Sequence, residues 1–386
     1  MATAVSQDGV GEHRAADRIS RRLRAASVES LALGMGALAF AAVAAVAFFV
    51  FAGHSLSIAG AGSVGQFAAI ACCLVALVAY GGGRVATWSI PWFSRPREHR
   101  SRLTAAVEVF DSLAISIAHA VVVLLLWTVL SDVLARSFQD AQVFAIPATL
   151  LVGTAAAVSA YYVFLSAADM NPLLLSAVLA IFLVVGALTS MLTASNPHWW
   201  KQNLSVLGIS DDWSAATFDI TVIVGGILVT AIARYATDSG SPERRPTRGE
   251  LQVRTALVIV GAMLACVGLF PVDRFFLVHN TAATGMAVVF CVLAIGIRWM
   301  MPHLPHTFYV LGWVFIGVIV LVALFFAVGY YNLTAVELVA AVLIFSWIIV
   351  FLRITEATGS DAARRGELDT PPTGAPPNAG DSPRGN

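Results

Sequence analysis

Ten separate apolar stretches, each long enough to cross a lipid bilayer, constrain this 386-residue chain more than any other feature. They fall at about 30–53, 66–88, 111–134, 143–166, 172–193, 217–238, 252–270, 278–299, 308–330 and 334–354. A helix of about 20 apolar residues matches the hydrocarbon core of a membrane. In lipid the backbone must satisfy its own hydrogen bonds, which leaves helices or closed barrels, and these runs are too long for barrel strands. Composition agrees. The chain is 58% hydrophobic and only 12% charged, with a mean hydropathy of +0.81, more apolar surface than a soluble domain can hide. The expected fold class is an all-α integral membrane protein of about ten transmembrane helices.

Net charge is zero, so the informative quantity is where the arginines lie. If the amino terminus is cytoplasmic and ten spans alternate, all but three of the 23 basic residues fall in cytoplasmic segments. Clusters at Arg14–Arg24, Arg84–Arg102 and Arg234–Arg254 carry most of them, and only Arg136, Lys201 and Arg274 fall outside. The positive-inside rule then places both termini in the cytoplasm, and an odd span count would scramble the partition. These cations read as topology signals, and no nucleic-acid partner is expected. One lysine, 22 arginines and heavy alanine use point to a GC-rich bacterial genome, hence to a bacterial inner membrane.

Four cysteines, Cys72, Cys73, Cys266 and Cys291, all lie in expected spans, so no disulfide framework or zinc motif is visible. The first apolar stretch is too long for a signal-peptide core and reads as an uncleaved anchor. Residues 1–29 form a basic cytoplasmic tail, read as a solvated topology signal or as an amphipathic helix near Arg18–Arg24. Residues 357–386, with Pro371, Pro372, Pro376 and Pro377 and few large apolar groups, are expected to be disordered. The 239–250 loop is expected to be a flexible seam. Between the tails, the chain divides into a four-helix region, 30–166, and a six-helix core, 172–354.

The longest external loop, about 194–216, carries Trp199, Trp200 and Trp213 at the edges of two spans, as in an interfacial aromatic belt. Beside them Lys201, Gln202 and Asn203 either anchor the loop or face lipid headgroups. Two short motifs carry a family resemblance. One is Asn203-Leu204-Ser205-Val206-Leu207-Gly208, with Trp213-Ser214, Phe218-Asp219 and Gly225-Gly226 beyond it. The other is Val267-Gly268-Leu269-Phe270-Pro271-Val272-Asp273, followed by His279-Asn280. Together they resemble the bacterial domain of unknown function 998, similar in layout to the Frag1/DRAM/Sfk1 membrane proteins, over residues 172–354. The resemblance implies a six-span unit and, through the look-alikes, an association with membrane lipid. Asp219 stands where such proteins often carry an amide.

Ionisable groups within a bilayer need a reason to be there. Asp219, His279 and Glu337 are expected at a common outer depth, where a carboxylate–histidine group could do acid–base chemistry on a headgroup or grip it. Asp273, Arg274 and Asn280 join Lys201 and Asn203 as candidate substrate contacts. Each also has a structural reading. Thr334-Ala335-Val336-Glu337 is a capping-box pattern. Asp219 suits a first helical turn, Asn280 suits a helix N-cap, and Asp273 suits a pair with Arg274. His119 is read as a buried histidine bonded to a neighbouring helix, or as a proton relay. Asp132 and Arg136, at i, i+4 spacing, are expected to pair. Asn171-Pro172 marks a helix start. Pro305 between His303 and His306 argues against a metal pair, and no metal or cofactor is expected. The chain has no Walker loop, Rossmann fingerprint or Gly-x-Ser-x-Gly elbow.

Three functions follow as expectations. The first is a non-enzymatic protein that binds or organises membrane lipid at the outer leaflet. The second is an intramembrane hydrolase or transferase using Asp219, His279 and Glu337. The third is a small-solute transporter with Asp111 and His119 lining a path.

Overall fold

The computed structural model describes residues 5–88, 102–209, 212–235 and 246–369. In chain order the helices are α1 (Val5–Phe51), α2 (Val64–Trp88), α3 (Arg102–Ser137), α4 (Ala145–Ala168) and α5 (Pro172–Thr193). They continue with α6 (Trp213–Tyr235), α7 (Arg248–Leu269), α8 (Phe276–Met300), α9 (His306–Ala327) and α10 (Leu333–Asp369). All ten contain a segment long and apolar enough to cross a membrane. Each expected stretch thus corresponds to one helix.

Local chemistry sets most helix starts. Asn171 caps α5, its side chain accepting from the Leu174 amide at 2.8 Å, with Pro172 at the first position. Asp212 accepts from Ala215 N at 3.0 Å and starts α6 at Trp213, four residues earlier than hydropathy suggested. Thr247 and Glu250 form a capping box at the start of α7, ahead of the expected boundary at 252. The rest of that expected flexible seam, 239–245, lies outside the described residues. At the other terminus α10 runs on past 357, where a disordered tail was expected to begin. The helix of α10 continues through Ala362-Ala363-Arg364-Arg365, good helix formers, as far as Asp369, two residues before Pro371. Residues 370–386 lie outside the described residues. The basic segment from Val5 onward is likewise continuous with the first span as one helix.

One element had no warning in the periodicity. Strands β1 (Ser55–Ser57) and β2 (Gln142–Phe144) pair antiparallel, with Leu56 opposite Val143, and zip the α1–α2 loop to the α3–α4 loop. Leu56 and Val143 turn inward onto the helices while their neighbours face out. Three residues per strand are too few to register in a hydropathy pattern.

α1 packs on α4, and α2 lies against both α4 and α3. From α5 to α10 each helix packs on the next, and α10 returns to α5, while α3 leans on α5 and α6. Across that contact Asp111 of α3 forms an ion pair with Arg234 of α6. Association in lipid depends on close packing rather than on hydrophobic burial, so small residues mark the tightest crossings. At α6–α7 a Cβ on Gly226 would lie 2.7 Å from Ala265 N, and one on Gly261 would lie 2.5 Å from Thr230 Oγ1. Elsewhere aromatics fill the space. Trp347 of α10, fully buried, stacks on Phe308 of α9 with ring centroids 4.8 Å apart, and Phe290 of α8 meets it edge-on at 5.6 Å.

His119 is held on both sides. Its Nδ1–H donates to Ile115 O at 2.8 Å, Ser166 Oγ–H of α4 donates to Nε2 at 2.8 Å, and the ring lies on Tyr80. A carbonyl only accepts, which fixes this tautomer. By contrast, Asp132 and Arg136 do not form the expected ion pair, an arrangement worth little at an exposed helix face.

The α6–α7 crossing supplies a direct test. Gly226→Ala and Gly261→Ala each force backbone apart and should cost about 1–3 kcal/mol. Gly34→Ala and Gly317→Ala, where a Cβ meets nothing within 4 Å, should leave the melting temperature of the purified protein unchanged or raised. Equal effects at all four positions would contradict this packing.

Candidate functional site

The polar groups singled out from sequence gather at the arginine-poor end of the bundle, around the segment joining α5 to α6. That segment holds two short 3₁₀ turns, Trp199–Lys201 and Leu204–Gly208. Asn203 starts the second, its Oδ1 accepting from Val206 N at 3.1 Å. Irregular backbone at a membrane boundary must find partners for its amides and carbonyls. Here most come from within the segment, and two come from Asn332 and Glu337 at the start of α10.

Glu337 of α10 accepts from the Leu204 amide through Oε2. His279 of α8, only 2% exposed, donates from Nδ1 to Phe270 O at 2.9 Å. Its Nε2 accepts from Ser205 Oγ–H at 2.8 Å. Asp219 of α6 sits against the end of the same turn, where a Cβ on Gly208 would lie 2.7 Å from Asp219 Oδ1. The three residues expected to share a depth therefore do converge, each on a different residue of the 204–208 turn. Asn332 adds a third hydrogen-bonded tie, donating from Nδ2 to Trp200 O at 2.7 Å.

Several structural readings of these residues need correction. Glu337 does not close a capping box with Thr334. Asn332 caps α10 instead, its Oδ1 accepting from Ala335 N at 3.1 Å, and this frees the Glu337 carboxylate to reach across to Leu204. Asp219 is the seventh residue of α6, not a first-turn acid, because the helix begins at Trp213. Asn280 lies inside α8, whose cap position is Phe275, so it is no N-cap. Asp273 and Arg274 do face each other, at 3.7 Å and largely exposed, a pair of small energetic worth. Lys201 is exposed, with its ammonium 5.6 Å from the Trp200 ring centre.

Sequence reasoning missed Ser205, Asn332 and the serine pair beneath the loop. Ser190 Oγ donates to Ser214 O at 3.0 Å and Ser214 Oγ donates back to Ser190 O at 2.8 Å, joining α5 to α6. Asn332, directly before a helical run, carried an N-cap signal; nothing local marked the serines. A cavity of about 230 Å³ lies between this pair and the turn, lined by Ala194, Ser195, Trp199, Val206, Leu207 and Ser214 among others.

What can this arrangement do? A serine hydroxyl on the Nε2 of an oriented histidine is the geometry of an activated nucleophile. Yet His119 and Ser166 repeat it between α3 and α4, with a backbone carbonyl again on Nδ1. Twice in one chain, the pairing fastens one segment to another. The candidate acid–base groups His279 and Glu337 are held in fixed contacts with backbone or hydroxyl, whereas Asp219 lies half-buried without a hydrogen bond and Lys201, Trp200 and Trp213 are exposed. Among the described residues no group of three metal-ligating side chains occurs. No protein-family model matches the chain, and neither a curated protein nor a solved structure matches it.

The ties predict separable effects. Asn332→Ala should cost about 1 kcal/mol as a lost cap. Thr334→Val should be neutral or stabilising, because Thr334 Oγ1 is buried without a hydrogen-bond partner. A capping box at Thr334 would give the opposite ranking. For Ser205→Ala and His279→Gln, a double-mutant cycle on thermal stability should return a coupling of about 0.5–3 kcal/mol. Additive losses would mean the two side chains do not support each other.

Proposed function

We propose that this protein binds and organises membrane lipid at the outer leaflet, without catalysing a reaction on it. The observation that carries this reading is the division of labour around the 204–208 turn. The groups with catalytic chemistry fasten the loop, while a rim of interfacial side chains stays free to meet lipid. Trp200 and Trp213 are 49% and 48% exposed, and Lys201 lies against Trp200. Indole rings favour the headgroup boundary of a bilayer, which suits them to hold lipid there. A rigid loop presents them in one arrangement, which lowers the ordering cost of binding.

The orientation belongs to the same proposal. Arginine placement supports cytoplasmic termini in a bacterial inner membrane, with the 194–212 loop outside. The two short motifs keep the resemblance to domain of unknown function 998 as part of this reading, and with it the lipid association.

A second reading, hydrolysis or acyl transfer on a lipid headgroup or ester, has one specific point in its favour: the 2.8 Å contact of Ser205 Oγ with His279 Nε2. A fluorophosphonate probe distinguishes it, since a nucleophilic Ser205 would be labelled and the label lost in His279→Gln. The transport reading draws less support from its two residues. Asp111 is paired with Arg234, and His119 is bonded on both ring nitrogens.

The lipid reading predicts that deleting the gene alters phospholipid composition or leaflet asymmetry in the source cell. Restoring the gene with Trp200→Ala and Trp213→Ala together should fail to correct it, at normal protein abundance. An unchanged lipid profile on deletion would count against the proposal.

A further inference from the structure

We propose that the Asp219 carboxylate seats a protonated primary amine, supplied by the headgroup of an aminophospholipid. This rests on the lipid reading above and names the lipid class that the site selects.

Asp219 is half-buried in α6, less than two turns below Trp213, and among the described residues it has no hydrogen bond or ion pair. Three other acids in the spans have partners, whereas Asp132, near the outer end of α3, forms no ion pair with Arg136. Asp111 pairs with Arg234, Glu337 accepts from the Leu204 amide, and Glu250 accepts from Thr247 N at 2.7 Å. A carboxylate at membrane depth without a partner marks a place where something else arrives. Two cations at this end of the bundle are engaged elsewhere. Arg274 faces Asp273 at 3.7 Å, and Lys201 lies over Trp200 at 5.6 Å.

Charge decides the sign of the ligand. At this end of the bundle Arg136, Lys201 and Arg274 are outnumbered by Asp132, Asp140, Asp212, Asp219, Asp273 and Glu337. A purely anionic headgroup would meet a repulsive field there, and a headgroup with an ammonium would be drawn in. Shape decides the kind of ammonium. The carboxylate is recessed against the Gly208 backbone, so close that a Cβ at position 208 would crowd Oδ1 at 2.7 Å. A compact ammonium with three N–H donors can enter and hydrogen-bond to it. A quaternary ammonium is wider and has no N–H to donate.

The test uses the purified full chain, delipidated and offered equal amounts of phosphatidylethanolamine, phosphatidylcholine and phosphatidylglycerol with identical acyl chains. Retained lipid is read by native mass spectrometry. The expected result is at least tenfold preference for phosphatidylethanolamine, abolished by Asp219→Asn at unchanged melting temperature and unchanged total lipid. On the wild-type chain, where no variant can misfold, retention should fall stepwise as the amine is mono-, di- and trimethylated. Flat retention across that series, or a preference that survives Asp219→Asn, overturns the amine seat while leaving lipid binding intact. No retained lipid of any class removes the lipid reading as well. Free ethanolamine that binds the lipid-free chain through Asp219 would assign the seat to a soluble amine, and so overturn the headgroup as its source.

Discussion

Everything at the arginine-poor end depends on one fastening, the contact of the Glu337 carboxylate with the Leu204 amide. The segment between α5 and α6 leaves helical geometry at the boundary of the membrane-spanning region, where unsatisfied peptide groups are costly. A carboxylate from α10 and an amide from the α9–α10 turn meet two of those peptide groups, and a histidine from α8 holds the Ser205 hydroxyl. The loop therefore belongs to the bundle rather than lying over it. Its indole and ammonium groups inherit the rigidity of the helices that hold it.

The same economy of polar groups recurs deeper in the molecule. Asp111 and Arg234 join α3 to α6, and His119 joins α3 to α4 through Ser166. α3 is thereby tied by polar contacts to two other helices. Polar ties of this kind fix which helix lies next to which, because lipid itself discriminates little between apolar faces.

Much of the architecture was legible in the amino-acid order. Ten apolar runs correspond to ten helices, and Asn171-Pro172 announced the start of α5 through the plain chemistry of capping. What was not legible had a common cause, dependence on partners far away in the chain. Thr334 and Glu337 have capping-box spacing, yet Glu337 meets an amide 133 positions away. Ser205 carries no local mark, and its role exists only because His279 lies beside it. Asp219, His279 and Glu337 could be placed at one depth by counting residues, but their common contact with a single 3₁₀ turn could not. The strand pair escaped notice for the same reason, since neither strand is long enough to stand alone.

That strand pair has a consequence for how the protein is made. Strand β1 has to wait for β2, which is synthesised roughly 85 residues later, on the order of 4 to 17 seconds at ordinary elongation rates. During that interval the first helical hairpin sits in the membrane with Leu56 and its neighbours unmatched. Arrival of the fourth helix then clasps the two loops together, so the ladder works as a late rivet that records completion of the first four helices.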